Sequence, residues 1–120
     1  MIVDSHVNLH HEKFDGEVEQ IIARAKAAGV GAMLTISDRL SSTEKIRAIA
    51  ARYPAIWRSV GAHPHYAADH KNLTAETLID LAAEPKVVGI GECGLDFHYG
   101  FSPADDQERV FAAHIAASQE

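Results

Sequence analysis

Cysteine is nearly absent: the 120 residues contain one, Cys93. A single thiol excludes an intrachain disulfide framework and fits a reducing compartment, so a cytoplasmic location is expected. Positive charge is also scarce, with 11 Lys and Arg against 17 Asp and Glu and a net charge of −6. That balance argues against a basic nucleic-acid coat or arm. It leaves room for an enzyme acting on phosphate esters, because bound divalent cations can neutralise an acidic cleft and receive the phosphate themselves. No run of apolar residues reaches the length of a membrane span, so no membrane partner is expected. The opening Met1-Ile2-Val3-Asp4 has no basic stretch before its apolar residues and does not read as a signal peptide. There is no low-complexity tract, linker or internal repeat, and no Ser/His/Asp order, P-loop or dinucleotide fingerprint.

What is present is a regular alternation. Apolar runs at residues 1–4, 31–36, 56–61 and 86–91 read as strands. Their near-continuous hydrophobicity suits a parallel sheet buried on both faces. Helical periodicity falls between them. Val18, Ile21, Ile22 and Ala25 share one helix face, and Gly29 follows as a stop. Ile46, Ile49, Ala50 and Tyr53 share another, with Ser41 and Glu44 spaced as a capping box and Pro54 beyond the end. Thr74 is expected to cap a third helix bearing Leu78, Ile79 and Ala82. Ser102 and Pro103, as cap and first helical residue, are expected to open a fourth that carries Val110, Phe111 and Ile115. Residues 67–72 and 99–106 read as loops.

Strand–helix alternation of this kind builds right-handed βαβ units. Four units are about half of a (β/α)8 barrel, which typically needs about 250 residues. The alternatives are a small open four-stranded sheet and a TIM-barrel-type α/β fold truncated to its first four βα units; the second is the expectation.

The polar residues with chemical potential follow the strand ends, where parallel α/β folds place their clefts. Asp4, His6 and Asn8 alternate along one face of the first strand. His6 is suited to a divalent metal. Asp4 reads as a ligand, as the carboxylate that orients the His6 ring, or as a turn residue accepting backbone N–H groups. Asn8 can offer an amide oxygen to a hard cation. His10 and His11 read as solvated loop residues. Gly61-Ala62-His63-Pro64-His65 sets two imidazoles on a turn stiffened by proline, where they can bind metal or donate to a phosphate, or simply occupy a turn. Glu92 follows an apolar strand, and a glutamate there needs a partner: a metal, or an ion pair with Arg39 or Arg58. Asp96 is placed to hydrogen-bond a histidine or to cap a turn. Cys93 alternates away from Glu92 and reads as packing.

With Asp4-Ser5-His6, Val60-Gly61-Ala62-His63-Pro64-His65 and Gly89-Ile90-Gly91-Glu92-Cys93-Gly94-Leu95-Asp96-Phe97 in this order, the chain resembles the TatD-type metal-dependent deoxyribonucleases over essentially its whole length. The resemblance implies that residues 1–120 form the N-terminal part of a single hydrolase barrel. It implies one or two divalent metals, with His6 a ligand and Glu92 a bridging carboxylate acting in catalysis. It places His63, His65 and Asp96 near a DNA substrate, single-stranded or at a 3′ end, with His63 also acting on the reacting phosphate. The family usually carries His-x-His after the first strand, whereas this chain has Asn8 at the second position. Asparagine favours an oxygen-liking cation such as Mg²⁺ or Mn²⁺ over Zn²⁺. His10 substitutes for the missing histidine only if the strand end bends. The family's later ligands, two histidines and an aspartate, fall outside these residues. Two rival readings remain: a related barrel acting on another substrate, and a catalytically incomplete module that pairs with a second copy through its open sheet edges.

Overall fold

A computed structural model describes residues 1–120. The chain runs β1 (Ile2–Val7), α1 (Val18–Ala27), β2 (Val30–Thr35), α2 (Thr43–Arg52), β3 (Ile56–Val60), α3 (Ala75–Ala82), β4 (Val87–Ile90) and α4 (Ala104–Ser118). Short 3₁₀ turns occupy Glu12–Phe14, Leu40–Ser42 and Pro64–His70. The four strands form one parallel sheet in the order β1-β2-β3-β4. Each crossover carries a helix, as parallel pairing requires. This is the open half of a barrel that the alternation implies.

The core lies between the sheet and α1 and α2. Met33 and Ile56 are register partners on β2 and β3. Both are buried in one cluster with Leu9 and Ala50, against Ile21, Ile22 and Ala25 of α1. Gly29 closes α1 at a φ of +95°, a conformation that suits glycine. Thr74 caps α3 as expected, accepting the Thr77 N–H.

Several expectations are corrected. β1 extends through Val7, so Asp4 and His6 lie within the strand rather than beyond it. The sheet is covered on one side only. Met33 and Ile56 face the helices, so Leu34 and Trp57, their in-register neighbours, face away. Val3 pairs with Ala32 on that same helix-free side, and Val3, Trp57 and Val88 are exposed. The apolar strands signal a two-sided burial that these four units alone do not supply.

The Ser41–Glu44 capping box does not form: a 3₁₀ turn precedes α2 and no side chain caps it. Nor does Ser102 cap α4. Its Oγ accepts the Ala68 N–H and donates to the His65 carbonyl, tying two loops together. The inner face of α4 is Gln107, Val110, His114 and Ala117, while Ile115 points outward. The helix is rotated from its hydrophobic reading because Gln107 and His114 have hydrogen-bond partners inside, beside buried Val110.

Candidate metal and phosphate site

The ends of β3 and β4 approach too closely for side chains between them. A Cβ on Gly61 would lie 2.8 Å from the Gly91 carbonyl carbon. Two buried hydroxyls stitch the strand ends across this gap. Ser59 Oγ accepts the Ser37 N–H at 2.9 Å and donates to the Gly91 carbonyl at 2.6 Å. Ser37 Oγ donates to the Gly61 carbonyl at 2.8 Å. The Glu92 N–H in turn donates to the Ser37 carbonyl at 3.0 Å. Every polar group in the seam has a partner, which fixes the Glu92 backbone relative to β2 and β3.

From that position the Glu92 carboxylate reaches two imidazoles. His6 Nε2 lies 3.4 Å from Oε2, and His63 Nε2 lies 3.4 Å from Oε1. Residues separated by 86 positions in sequence thus meet at the C-terminal ends of β1 and β4. Glu92 does not pair with either arginine. Arg39 goes to Asp38, and Arg58, 1% exposed, goes to Glu84.

The hydrogen bonds assign His63 a tautomer. Its Nδ1 accepts the His65 N–H at 3.0 Å, so in the neutral ring the proton sits on Nε2, facing Glu92. Burial holds the imidazole below its ordinary pKa, against the opposing pull of the Glu92 charge. His63 is therefore a neutral N–H donor at pH 7, not a lone-pair ligand through Nε2. The His63 N–H itself donates to the Asp38 carbonyl at 2.8 Å.

His65 turns the other way. Its Nε2 lies 2.6 Å from Asp96 Oδ2, and its ring packs edge-on to His63 with centroids 4.2 Å apart. The His65 hydrogen bond holds the Asp96 carboxyl below the usual aspartate range. Asp96 also accepts the His98 and Tyr99 N–H groups, so it both binds a histidine and caps a turn.

Asp4 does not orient the His6 ring; its Oδ1 accepts the His6 backbone N–H at 3.1 Å. Asn8 donates through Nδ2 to the Ile36 carbonyl at 3.3 Å, which leaves Oδ1 as its free acceptor. His10 is not solvated. The chain turns after β1, buries Leu9 completely, and sets His10 Nε2 3.0 Å from Asp38 Oδ1. Its Nε2 is thereby engaged by a carboxylate, so it does not stand in for the second histidine. Burial raises the Cys93 thiol, aided by the Glu92 charge, in keeping with a packing role.

Two residues carry a role that the sequence reading did not assign. His114 of α4 accepts the Ala62 N–H at 3.0 Å and so braces the loop that carries His63. Gln107 grips the other loop, accepting the Asp96 N–H at 2.7 Å and donating to the Asp96 and Ser102 carbonyls. Their signal was the spacing 107, 110, 114, 117, which is a helix stripe that includes two polar members.

The donor chemistry at Glu92 suits a divalent cation: one carboxylate and one available imidazole, that of His6. Its number falls short. No group of three or more His, Cys, Asp or Glu side chains is arranged to hold an ion, whereas hydrolytic metal sites commonly use three protein ligands.

A family model described as TatD related DNase matches residues 3–120. The chain is 40% identical over 117 residues to the 3′-5′ ssDNA/RNA exonuclease TatD of Escherichia fergusonii, covering 98% of itself and 45% of that protein. It is 38% identical over 112 residues to the Escherichia coli protein of the same name, covering 43% of it. The chain thus spans less than half the length of the curated relatives it matches. Among solved structures it superposes on YJJV, a TatD homologue from Escherichia coli, with a TM-score of 0.87 at 24% identity, covering 98% of this chain and 46% of that one. A TatD family hydrolase from Entamoeba histolytica gives 0.86 at 23% identity, with the same coverage. The fold is that of the first half of a TatD TIM barrel, and the chain belongs to the TatD-related DNase family.

Proposed function

We propose that this TatD-family chain is the N-terminal part of a single barrel domain that hydrolyses phosphodiester bonds in single-stranded DNA or RNA, working from 3′ ends with one or two divalent metal ions. The observation that carries this reading is the Glu92 carboxylate held between His6 and His63 at the cleft end of a parallel sheet. His6 Nε2, Glu92 and the Asn8 amide oxygen are the metal donors, and this oxygen-rich set favours Mg²⁺ or Mn²⁺ over Zn²⁺. A metal bound there would acidify a water and polarise the phosphoryl oxygen. His63 offers its Nε2 proton to a phosphate oxygen as negative charge develops. His65, anchored on Asp96, lines the approach and positions the strand beside it. The remaining donors belong to the length that the relatives have and these residues do not.

The unpaired edges of β1 and β4 favour a second reading for the chain taken alone, a module completed by another copy across those edges. The free Cys93 thiol is consistent with a cytoplasmic setting, and no helix is long and apolar enough to cross a membrane.

The test is release of nucleotides from a 3′-labelled single-stranded oligonucleotide with Mn²⁺ or Mg²⁺, beside Glu92→Ala and a panel of ester and amide substrates. Metal-dependent cleavage that the substitution abolishes supports the reading. Cleavage indifferent to Glu92, or confined to the amide and non-phosphate ester substrates, overturns it.

A further inference from the structure

The loop between β4 and α4 exposes an unusual density of aromatic surface. Phe97, Tyr99 and Phe101 are each about three-fifths exposed (59%, 61% and 64%) within five residues. Isolated surface aromatics need no explanation, but a contiguous group does. Tyr99 and Phe101 are stacked, their ring planes within 3° of parallel and their centroids 5.4 Å apart. Both meet the His65 ring edge-on, at 5.5 and 4.8 Å. The stack therefore stands directly beside the proposed phosphate-handling residues.

The loop is exposed but not loosely held. Asp96 accepts the N–H groups of His98 and Tyr99 at its start. Buried Gln107 binds the Asp96 backbone and the Ser102 carbonyl, and buried Ser102 binds the His65 carbonyl at its end. Buried polar groups thus hold apolar rings in water in a fixed parallel pose. Such a pose is matched by another flat π system.

We propose that Tyr99 and Phe101 form a nucleobase-stacking platform that seats a base next to the bond being cleaved and selects unpaired strands. This deepens the phosphodiesterase reading and rests on it for the identity of the ligand. Stacking is open to any base with a free face, and a base locked in a duplex does not present one. The charge balance points the same way: at −6 the chain has little long-range attraction for phosphates, so without divalent cation base contacts carry more of the affinity, with a shallow dependence on salt.

The experiment measures binding of a labelled oligothymidylate, an abasic oligonucleotide of equal length, and a duplex to the full chain without added divalent cation, so that nothing is cleaved. Tyr99→Ala and Phe101→Ala should each weaken oligothymidylate binding by roughly 5- to 100-fold and leave abasic binding unchanged. Phe101→Trp should retain affinity, with its fluorescence quenched by the oligothymidylate. Equal binding of oligothymidylate and abasic strand, insensitivity to both alanine substitutions, or binding of no oligonucleotide overturns the platform. Failure of the hydrolase reading is seen separately: base-dependent binding alongside cleavage indifferent to Glu92 removes the enzyme and leaves the platform.

Discussion

His114 on the last helix accepts the backbone N–H of Ala62 at 3.0 Å while its other ring nitrogen donates to the Val110 carbonyl at 2.7 Å. Both nitrogens are committed and the ring is 1% exposed. Only the neutral ring with its proton on Nδ1 satisfies both bonds. Through Ala62 this histidine sets the position of His63, one residue on.

Acid should therefore loosen the fold above the carboxylate range. Burial lowers the pKa of His114, and of His63, from the usual 6.5. A base whose folded pKa is depressed is more readily protonated when unfolded. Its contribution is fully present above pH 6.5 and is lost as pH falls through the lower folded value. Asp38, Glu84 and Asp96, all held below their ordinary values, add their own loss only at more acidic pH. Urea midpoints should be flat above pH 6.5 and decline toward pH 4.5, and His114→Gln should flatten that decline. An unchanged slope in the variant would assign the effect elsewhere. His114→Ala should cost about 3 kcal/mol, from a buried N–H without a partner and the void left behind.

Arg58 gives a different kind of sensitivity. It is buried on β3 and reaches Glu84 at 2.8 Å, with Arg47 sharing the same carboxylate. Hydrogen bonds from Arg58 and Arg47 hold Glu84 below its ordinary pKa. Glu84→Gln leaves a buried guanidinium charge uncompensated and should cost about 3 kcal/mol, whereas Glu44→Gln, on the exposed side of Arg47, should leave stability nearly unchanged. Chemical denaturation of the two variants checks the contrast.

Gly61→Ala should harm the site more than the fold. The new methyl meets backbone atoms of Gly91 at 2.8–2.9 Å, and no flexible side chain is there to yield. The strand ends must part, at about 1–3 kcal/mol of overpacking, and Glu92 moves with them. Mn²⁺ affinity by calorimetry should fall at least as far as it does in His6→Ala, although no ligand has been changed.

The helix-free face of the sheet should make the chain associate. Val3, Trp57 and Val88 are exposed on it, and β1 and β4 are unpaired edges. Sedimentation velocity should show species above the 13.0 kDa monomer, and Val3→Lys combined with Val88→Lys should return them to monomer. A wild-type chain that is monomeric at its highest soluble concentration contradicts this expectation.

The amino-acid sequence alone determined the order of elements, their parallel arrangement and the cluster of polar residues after strand ends. These are local properties: apolar runs, hydrophobic period and helix stops act over a few residues. His6, His63 and Glu92 were legible as one site because strand-end position converts sequence order into proximity. The tertiary structure decided which partner each polar group took. His10 went to Asp38 and Asp4 to a backbone N–H. Ser102 left its helix for the His65 loop, and α4 turned Gln107 and His114 inward in place of Ile115. A buried hydrogen-bonding group takes the partner that the packing of distant segments brings within about 3 Å. That choice depends on register and helix rotation summed over the whole chain, and no short window of sequence contains it.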